Sequence, residues 1–247
     1  MAAGTYRKRS GADRTKRVPR VVLAVDVGGT HVKVRLSSDP EVFKIASGKR
    51  MTAARMVERV REATAERSYD AVSIGYPGVV AGGKPLHEPV NLGAGWVGFD
   101  FERAFGRPTI VVNDAAMQAW GAYRGGRMLF LGLGTGLGSA LIVDGVLEPM
   151  ELAHLPYRKG KTYEEYAGKA GLRRMGEKKW RRHVTKIVER LRDALEVDGV
   201  VIGGGNARLL EPLPDAVRRG SNADAFTGGF DLWRERPATA VAAHAAT

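Results

Sequence analysis

The stretch V-L-A-V-D-V-G-G-T-H-V-K-V at residues 22–34 decides the fold, because two apolar segments in it flank an Asp and a pair of glycines. The pattern predicts two strands, over residues 20–27 and 31–37, joined by a tight turn. Glycines let backbone N–H groups approach an anion closely, and the Asp can hold a metal-bound water. The stretch therefore predicts a β-hairpin that binds phosphate.

The second half of the chain repeats this pattern. A strand over residues 128–131, a glycine-rich turn over 132–138 and a returning strand over 139–143 are expected, and Gly203-Gly204-Gly205 closes another apolar strand. No G-x-G-x-x-G follows a predicted strand and no G-x-x-x-x-G-K-[ST] occurs, which disfavours dinucleotide-binding and P-loop proteins. Two strand–glycine–strand units suggest two related lobes that face each other.

An Asn113-Asp114 pair stands at the end of a predicted strand and before a predicted helix. Its Asp could accept the proton of a hydroxyl that attacks a phosphoryl group. Taken alone, Asp114 is explained more simply as the N-cap of the helix. The other expected elements are a helix over 53–67, a strand over 71–76, a Gly- and Pro-rich loop over 81–98, a strand over 109–112, a helix over 115–123, and a long helix with an apolar stripe of Trp180, Val184, Ile187, Leu191 and Leu195.

Two carboxylates and an imidazole, from Glu151, His154 and Glu164, form a further candidate group. Such side chains suit hydrogen bonds to sugar hydroxyls. They could also bind a metal, but no second His or Cys lies at ligand spacing. For each residue alone, a solvated surface position is the default explanation.

Composition limits the classes of protein that remain. The chain has 247 residues, a formal net charge of +12 and no cysteine, which excludes disulfides and thiolate zinc sites and is compatible with a cytoplasmic location. No apolar run is long enough for a membrane span, and the N-terminus does not look like a secretory signal. Residues 1–19 are expected to form a flexible basic arm, and residues 237–247 a disordered tail.

Taken together, the motifs resemble the ROK family of sugar kinases over most of residues 21–236, and within it the polyphosphate/ATP glucokinase branch. The segments that carry the resemblance are V-D-V-G-G-T-H-V-K (25–33), G-Y-P-G-V-V (75–80), N-L-G-A-G-W (91–96), V-N-D-A-A (112–116), L-G-L-G-T-G-L-G-S-A (131–140), E-L-A-H-L (151–155) and V-I-G-G-G (201–205).

The resemblance implies an α/β chain with the two-lobed actin-like ATPase (ribonuclease H-like) fold and a cleft between the lobes. The lobes would span residues 20–112 and 113–236, and the final helix could return to the N-terminal lobe. The implied activity is that of a Mg²⁺-dependent hexose kinase, which phosphorylates the 6-hydroxyl of glucose with polyphosphate, ATP or both; mannose is a second candidate sugar. A homodimer is expected, with no membrane and no specific nucleic acid as partner.

The resemblance also assigns roles to individual residues. Asp114 would be the catalytic base, and Asp26 would lie near Mg²⁺, through a water. The sugar-binding residues would be Asn91, Asn113, Glu151, His154 and Glu164, with Glu165 as the alternative to Glu164. The phosphate-binding residues would be Gly28, Gly29, Thr30 and Lys33 in the first turn, Gly134, Thr135 and Gly136 in the second, and Gly204 on the nucleotide side.

The chain departs from the family pattern at two points. Ala153 replaces the Gly that is usual between the Glu and the His. The Cys-rich zinc motif of many members is absent, so no zinc is expected and His154 should contact only the sugar.

Three alternatives stay open. The chain could be an ATP-only kinase for another hexose or an N-acetylhexosamine, or a non-catalytic sensor of sugar or polyanion on a kinase scaffold. Its basic residues could form a polyphosphate track or only the solvated face of a helix. The candidate track consists of Arg158, Lys159, Lys161, Lys169, Arg173, Arg174, Lys178, Lys179, Arg181 and Arg182.

Overall fold

Two five-stranded mixed sheets form the framework of the molecule in a computed structural model that describes residues 18–234. The predicted tail (237–247) and residues 1–17 of the predicted basic arm lie outside the described residues. The first-half elements are β1 (Val22–Val27), β2 (His31–Leu36), β3 (Phe43–Ala46), α1 (Ala53–Ala63), β4 (Ala71–Tyr76), β5 (Val80–Ala81), β6 (Lys84–Pro85), α2 (Phe101–Phe105) and β7 (Thr109–Asn113).

The second half starts with a helix and builds the second sheet. Its elements are α3 (Asp114–Ala122), β8 (Arg127–Leu133), β9 (Leu137–Val143), β10 (Val146–Met150), a 3-10 turn (Leu152–His154), β11 (Pro156–Arg158), β12 (Lys161–Thr162), α4 (Tyr163–Ala167), α5 (Lys169–Met175), α6 (Glu177–Leu195), β13 (Gly199–Gly203), a second 3-10 turn (Ala207–Leu209), β14 (Val217–Arg219) and α7 (Asp224–Asp231).

Both sheets have the same topology. The first has the order β3-β2-β1-β4-β7 and the second β10-β9-β8-β13-β14. In each, three antiparallel strands are followed by two that run parallel to the central one. This equivalence confirms the expected pair of related lobes, and it brings the carboxyl ends of β1, β4, β8 and β13 to comparable positions in each sheet.

Each lobe has its own apolar core. Strand β4 is buried at every position, as expected for a parallel strand with covered faces. In the second lobe, α6 turns Trp180, Val184, Ile187 and Leu191 toward the sheet, which confirms these four members of the predicted stripe; Leu195 packs at the margin of the core, only partly buried. The Nε1 of the buried Trp180 indole donates a hydrogen bond to the Ala167 carbonyl at 2.8 Å.

The last helix, α7, packs against α3 and reaches β1 and β4 of the first sheet. Glycines permit this approach, because a side chain at Gly228 would collide with the carbonyl of Met117. The buried Ser73 hydroxyl on β4 donates to the Gly229 carbonyl at 2.6 Å and accepts from Trp233 Nε1 at 2.8 Å. Thus the end of the described chain is hydrogen-bonded to the N-terminal sheet.

Several predicted boundaries were wrong. The helix predicted over 53–67 ends at Ala63, where the Thr64 hydroxyl donates to the Val60 carbonyl. The predicted loop over 81–98 includes part of the short β5–β6 hairpin. Strands β8 and β9 extend into the predicted turn and leave only residues 134–136 outside them.

No helix in the described part of the chain is both long and apolar enough to cross a membrane.

Candidate active site

Asp26 lies at the carboxyl end of β1, next to the first glycine turn. It pairs in register with Gly75 on the parallel β4 and with Lys33 on the antiparallel β2. Lys33 Nζ lies 3.2 Å from Asp26 Oδ2, and both side chains are partly exposed. The hairpin thus places a carboxylate and an ammonium group opposite each other beside the turn.

The first turn is closed by its own backbone and fixed by Ser47, which directly follows β3. The Gly28 N–H donates to the His31 carbonyl at 3.0 Å, and the Ser47 hydroxyl donates to the Gly28 carbonyl at 2.6 Å. Gly29 and Thr30 are exposed. A Cβ placed on Gly29 would lie 3.0 Å from Asn91 Cβ, so the predicted sugar residue Asn91 contacts the predicted phosphate turn.

Asn113, and not Asp114, caps helix α3. The Asn113 side-chain oxygen accepts from the Ala116 N–H at 3.0 Å, and its amide group donates to the Gly78 carbonyl at 3.1 Å. The expected Asp cap is therefore wrong, because Asp114 is already the first helical residue. Because Asn113 makes the cap, the Asp114 carboxyl group is not needed for it. That carboxyl group accepts a hydrogen bond from the Ala115 N–H at 2.8 Å.

Gly75 allows α3 to lie against the end of β4. A Cβ there would be 2.5 Å from Met117 Cε and 3.3 Å from Asp114 Cα. On the other side, a Cβ on Gly138 of β9 would be 2.9 Å from Ala115 Cβ. The first turn of α3, with Asp114, is therefore held between the two sheets.

The surroundings of Asp114 raise the pKa of its carboxyl group to about 7. Burial is the largest cause, followed by the negative charge of Asp26; Glu151 adds a smaller effect in the same direction. Part of the residue stays accessible. A carboxyl group that titrates near neutral pH is suited to accept a proton during a reaction.

The second glycine turn, at residues 134–136, is fixed by three segments that sequence reasoning did not connect to it. Asn206 Nδ2 donates to the Gly134 carbonyl at 3.1 Å, and the Lys169 N–H donates to the Thr135 carbonyl at 3.1 Å. Glu164 Oε2 accepts from the Leu137 N–H at 3.3 Å. Asn206 directly follows the third glycine run, which is the signal that could have identified it.

The two candidate glutamates of α4 have different environments. Glu165 closes the capping box of the helix with Thr162 and pairs with Lys161 at 2.8 Å. Glu164 instead lies on the second turn, where a side chain at Gly136 would collide with its carboxylate. The geometry thus favours Glu164 over Glu165 as a site residue.

Glu151 and His154 form an exposed pair at the 3-10 turn after β10. His154 Nε2 lies 3.6 Å from Glu151 Oε2. Their backbone is positioned by the buried Ser139, whose hydroxyl donates to the Met150 carbonyl at 2.6 Å and accepts from the Leu152 N–H at 3.2 Å. Ser139 was missed as a positioning residue, although it lies within the quoted 131–140 motif.

The third glycine run lies against the end of β8. Gly204 has a φ of +81°, and a Cβ on it would be 2.6 Å from the Leu133 carbonyl oxygen. Glycine is required here for both reasons. Gly204 therefore belongs to the same corner of the second lobe as residues 134–136.

These contacts make two groups of candidate residues, one at each glycine turn. One joins Asp26, Lys33 and Asn91 to the first turn, and the other joins Glu164 and Gly204 to the second. Through the charge of Asp26 and Glu151, Asp114 is linked electrostatically to both sheets. The roles assigned to these residues in binding stay predictions.

Comparisons with known proteins agree with this architecture. The family model described as "ROK family" matches residues 22–148. A polyphosphate glucokinase of Mycobacterium tuberculosis (strain CDC 1551 / Oshkosh) is 31% identical over 156 residues, which are 56% of this chain and 57% of that protein. The chain thus matches little more than half the length of this curated relative.

Solved structures of other proteins share the fold. The inorganic polyphosphate/ATP-glucomannokinase from Arthrobacter sp. strain KM superimposes with a TM-score of 0.74 at 24% identity, over 88% of this chain and 99% of that one. A ROK family glucokinase from Streptomyces griseus, solved with glucose and AMPPNP, gives a TM-score of 0.67 at 20% identity, over 87% and 99%. The expected two-lobed actin-like ATPase fold is thereby confirmed. With half of its length matched by the family model, and with the same paired sheets as these kinases, the chain belongs to the ROK family.

Proposed function

We propose that this protein is a hexose kinase that transfers a phosphoryl group from polyphosphate, ATP or both to the 6-hydroxyl of glucose, with mannose as a second candidate sugar. The observation that carries the proposal is the carboxyl group of Asp114, which lies at the start of α3 between the two sheets and has a pKa of about 7. The names of the M. tuberculosis and Arthrobacter proteins support the choice of sugar and donor.

Asp114 acts as the general base. As the sugar hydroxyl attacks the terminal phosphorus, its proton passes to the Asp114 carboxylate, and the bond to the leaving phosphate oxygen breaks. The Asn113 cap and Gly75 fix the position of the backbone at this residue. Positioning of this kind is a large part of the catalysis of phosphoryl transfer.

The sugar is bound by side chains from both lobes. Glu151 and His154 offer an acceptor and a donor at an exposed turn, and Glu164 offers a second carboxylate. Asn91, in the loop after β6, and Asn113, at the end of β7, would contact the sugar from the side of the first sheet. Because the side chains come from two lobes, sugar binding would draw the lobes together and exclude water from the transferred group.

The donor is bound by the glycine turns, with Lys33 and the exposed backbone of Gly29 and Thr30 facing the phosphates. Magnesium sites in kinases commonly use one or two carboxylates plus substrate phosphates, and Asp26 supplies such a carboxylate beside the first turn. Asp26 would hold Mg²⁺, through a water. When bound, Mg²⁺ would neutralise charge on the phosphates.

The first test measures glucose 6-phosphate with Mg²⁺ and either ATP or polyphosphate as the sole donor. We expect Asp114→Asn to lower kcat by about 10²- to 10⁴-fold while glucose affinity changes little, since Asn keeps the shape but cannot accept the proton. The matched control is Asp215→Asn, an exposed Asp far along the chain, which should leave kcat unchanged.

Each outcome separates the alternatives. Near-normal kcat in Asp114→Asn would disprove its role as base. Product with ATP but not with polyphosphate would show that the protein is an ATP-only kinase. Faster turnover of an N-acetylhexosamine than of glucose would identify that sugar as the substrate. Stabilisation by glucose without product from any donor would favour the non-catalytic sensor.

A further inference from the structure

A group of cations surrounds two aromatic side chains at the surface of the second lobe. Tyr157 on β11 donates to or accepts from His183 Nδ1 on α6 at 3.0 Å, and both are partly buried. The exposed cations around this pair come from β11, α5 and α6, and we name them the cationic surface: Arg158, Arg174, Arg182, Lys186 and Arg190.

Among the described ion pairs, none includes a member of the cationic surface. By contrast, Lys161 and Arg181 of the predicted track are paired with Glu165 and Glu177. Clustered like charges without partners repel one another, and a bound anion removes that repulsion.

Two of the arginines are held in place. The Arg174 guanidinium lies 5.3 Å from the Tyr166 ring centre and donates to the Glu165 carbonyl at 2.7 Å. The Arg190 guanidinium lies 5.4 Å from the Tyr157 ring centre. Side chains that are already ordered lose less conformational freedom when a ligand binds.

The surface is connected to the second glycine turn by helix α5. The backbone of Lys169, at the start of the helix, bonds to Thr135, and Arg174 stands five residues further along. At the rise of an α-helix this is about 8 Å. A linear anion that ends at the glycine turn would therefore meet the cationic surface a short way beyond it.

The aromatic rings favour a plain phosphate chain over a nucleic acid. Tyr157 packs against Tyr166 at 4.9 Å and against His183 at 5.7 Å, and Arg190 covers it further. Rings engaged in this way are poorly placed to stack on bases, which is how single-stranded nucleic acids are usually bound. What the surface offers is charge and guanidinium donors, which suit phosphate oxygens.

We propose that the cationic surface is an anchoring site for the distal part of an inorganic polyphosphate chain whose reacting end lies at the second glycine turn. This proposal rests on the proposed kinase function with polyphosphate as donor. It predicts that long chains are used better than short ones, because only a long chain reaches both places.

The test removes three exposed members that do not cover the rings, in the triple variant Arg158→Gln, Arg182→Gln and Lys186→Gln. We expect kcat/KM with long-chain polyphosphate to fall on the order of ten- to hundred-fold, and its dependence on salt to become weaker. With tripolyphosphate or ATP, kcat/KM should stay within about two-fold of wild type, since neither donor has phosphate groups beyond the third to place on the surface.

The control removes the same charge from exposed positions of the first lobe, with Arg20→Gln, Arg55→Gln and Arg103→Gln. It should retain the wild-type preference for long chains, which separates a local site from an effect of net charge. Direct binding of labelled long-chain polyphosphate, measured for both triple variants, gives a second readout that needs no turnover.

The results separate this proposal from the proposed function. Equal losses for all three donors, or equal losses in both triple variants, would overturn the anchoring site while leaving the kinase function intact. If wild type uses ATP only and does not bind long-chain polyphosphate, both the donor and the site are wrong. Tighter binding of single-stranded DNA than of polyphosphate at matched charge would assign the surface to nucleic acid instead.

Discussion

The carboxyl group of Asp114 carries, at the scale of a single residue, a conflict between stability and catalysis. Its pKa is raised to about 7 from an ordinary value of 3.8, chiefly by burial and then by Asp26. Both causes disfavour the ionised form, which is the form that a general base needs. The native state therefore loses stability as the pH rises from about 3.8 to about 7, where the unfolded chain releases this proton and the folded protein keeps it.

This conflict predicts that Asp114→Asn stabilises the protein at high pH only. The folded wild-type protein keeps the proton up to a pH of about 7, whereas the unfolded chain releases it near 3.8. Wild-type stability thus falls relative to the variant as the pH rises through this range, and the two should be equal below it. Calorimetric melting of both proteins at pH 3.5 and pH 8 measures the difference; a variant less stable at pH 8 would contradict the raised pKa.

At the scale of the element, the position of α3 depends on small residues in the strands beside it. Gly75 on β4 and Gly138 on β9 leave room for the first turn of the helix, so Asp114 is positioned by both sheets at once. The Asn113 cap fixes the start of the helix one residue earlier than the sequence pattern predicts. Asp114 is a candidate base because the helix places it between the two sheets.

We expect Gly75→Ala to destabilise the fold by about 1–3 kcal/mol and to lower kcat, because the new methyl group overlaps Met117 and presses on the Asp114 backbone. The double variant Gly75→Ala with Met117→Leu removes the 2.5 Å contact with Met117 Cε and should regain most of the stability. Its kcat should stay low, because the contact with Asp114 Cα at 3.3 Å remains. Denaturant unfolding and steady-state kinetics would measure the two effects; full recovery of kcat would show that Gly75 only accommodates Met117.

At the scale of the whole molecule, α7 connects the end of the described chain to the first sheet. Ser73 on β4 is fully buried and bonds to both the Gly229 carbonyl and the Trp233 indole. A single hydroxyl thus satisfies an acceptor and a donor that are far away in sequence. Since α7 also packs on α3, this contact supports the helix that carries Asp114.

Ser73→Ala should lower stability by about 1–3 kcal/mol, because it removes the hydroxyl that donates to the carbonyl of the buried Gly229 and accepts from the partly buried Trp233 indole. For a chain of this size each kcal/mol corresponds to about 2–4 °C in Tm. The exposed Ser38→Ala is the control and should melt like wild type. Faster hydrogen exchange confined to α7 would accompany the loss, and unchanged Tm and exchange would contradict the role given to Ser73.

The sequence by itself determined the two strand–glycine–strand units, the Asp114 candidate and the membership of the ROK family, because these are local patterns of apolar residues, glycines and short motifs. Tertiary structure alone decided which residues support them. Ser139 and Asn206 are each bonded to a turn through contacts between separate segments, and the choice of Glu164 over Glu165 depends on the side of α4 that faces the glycine turn. Such contacts depend on how sheets and helices pack, and periodicity along the chain carries no record of that packing.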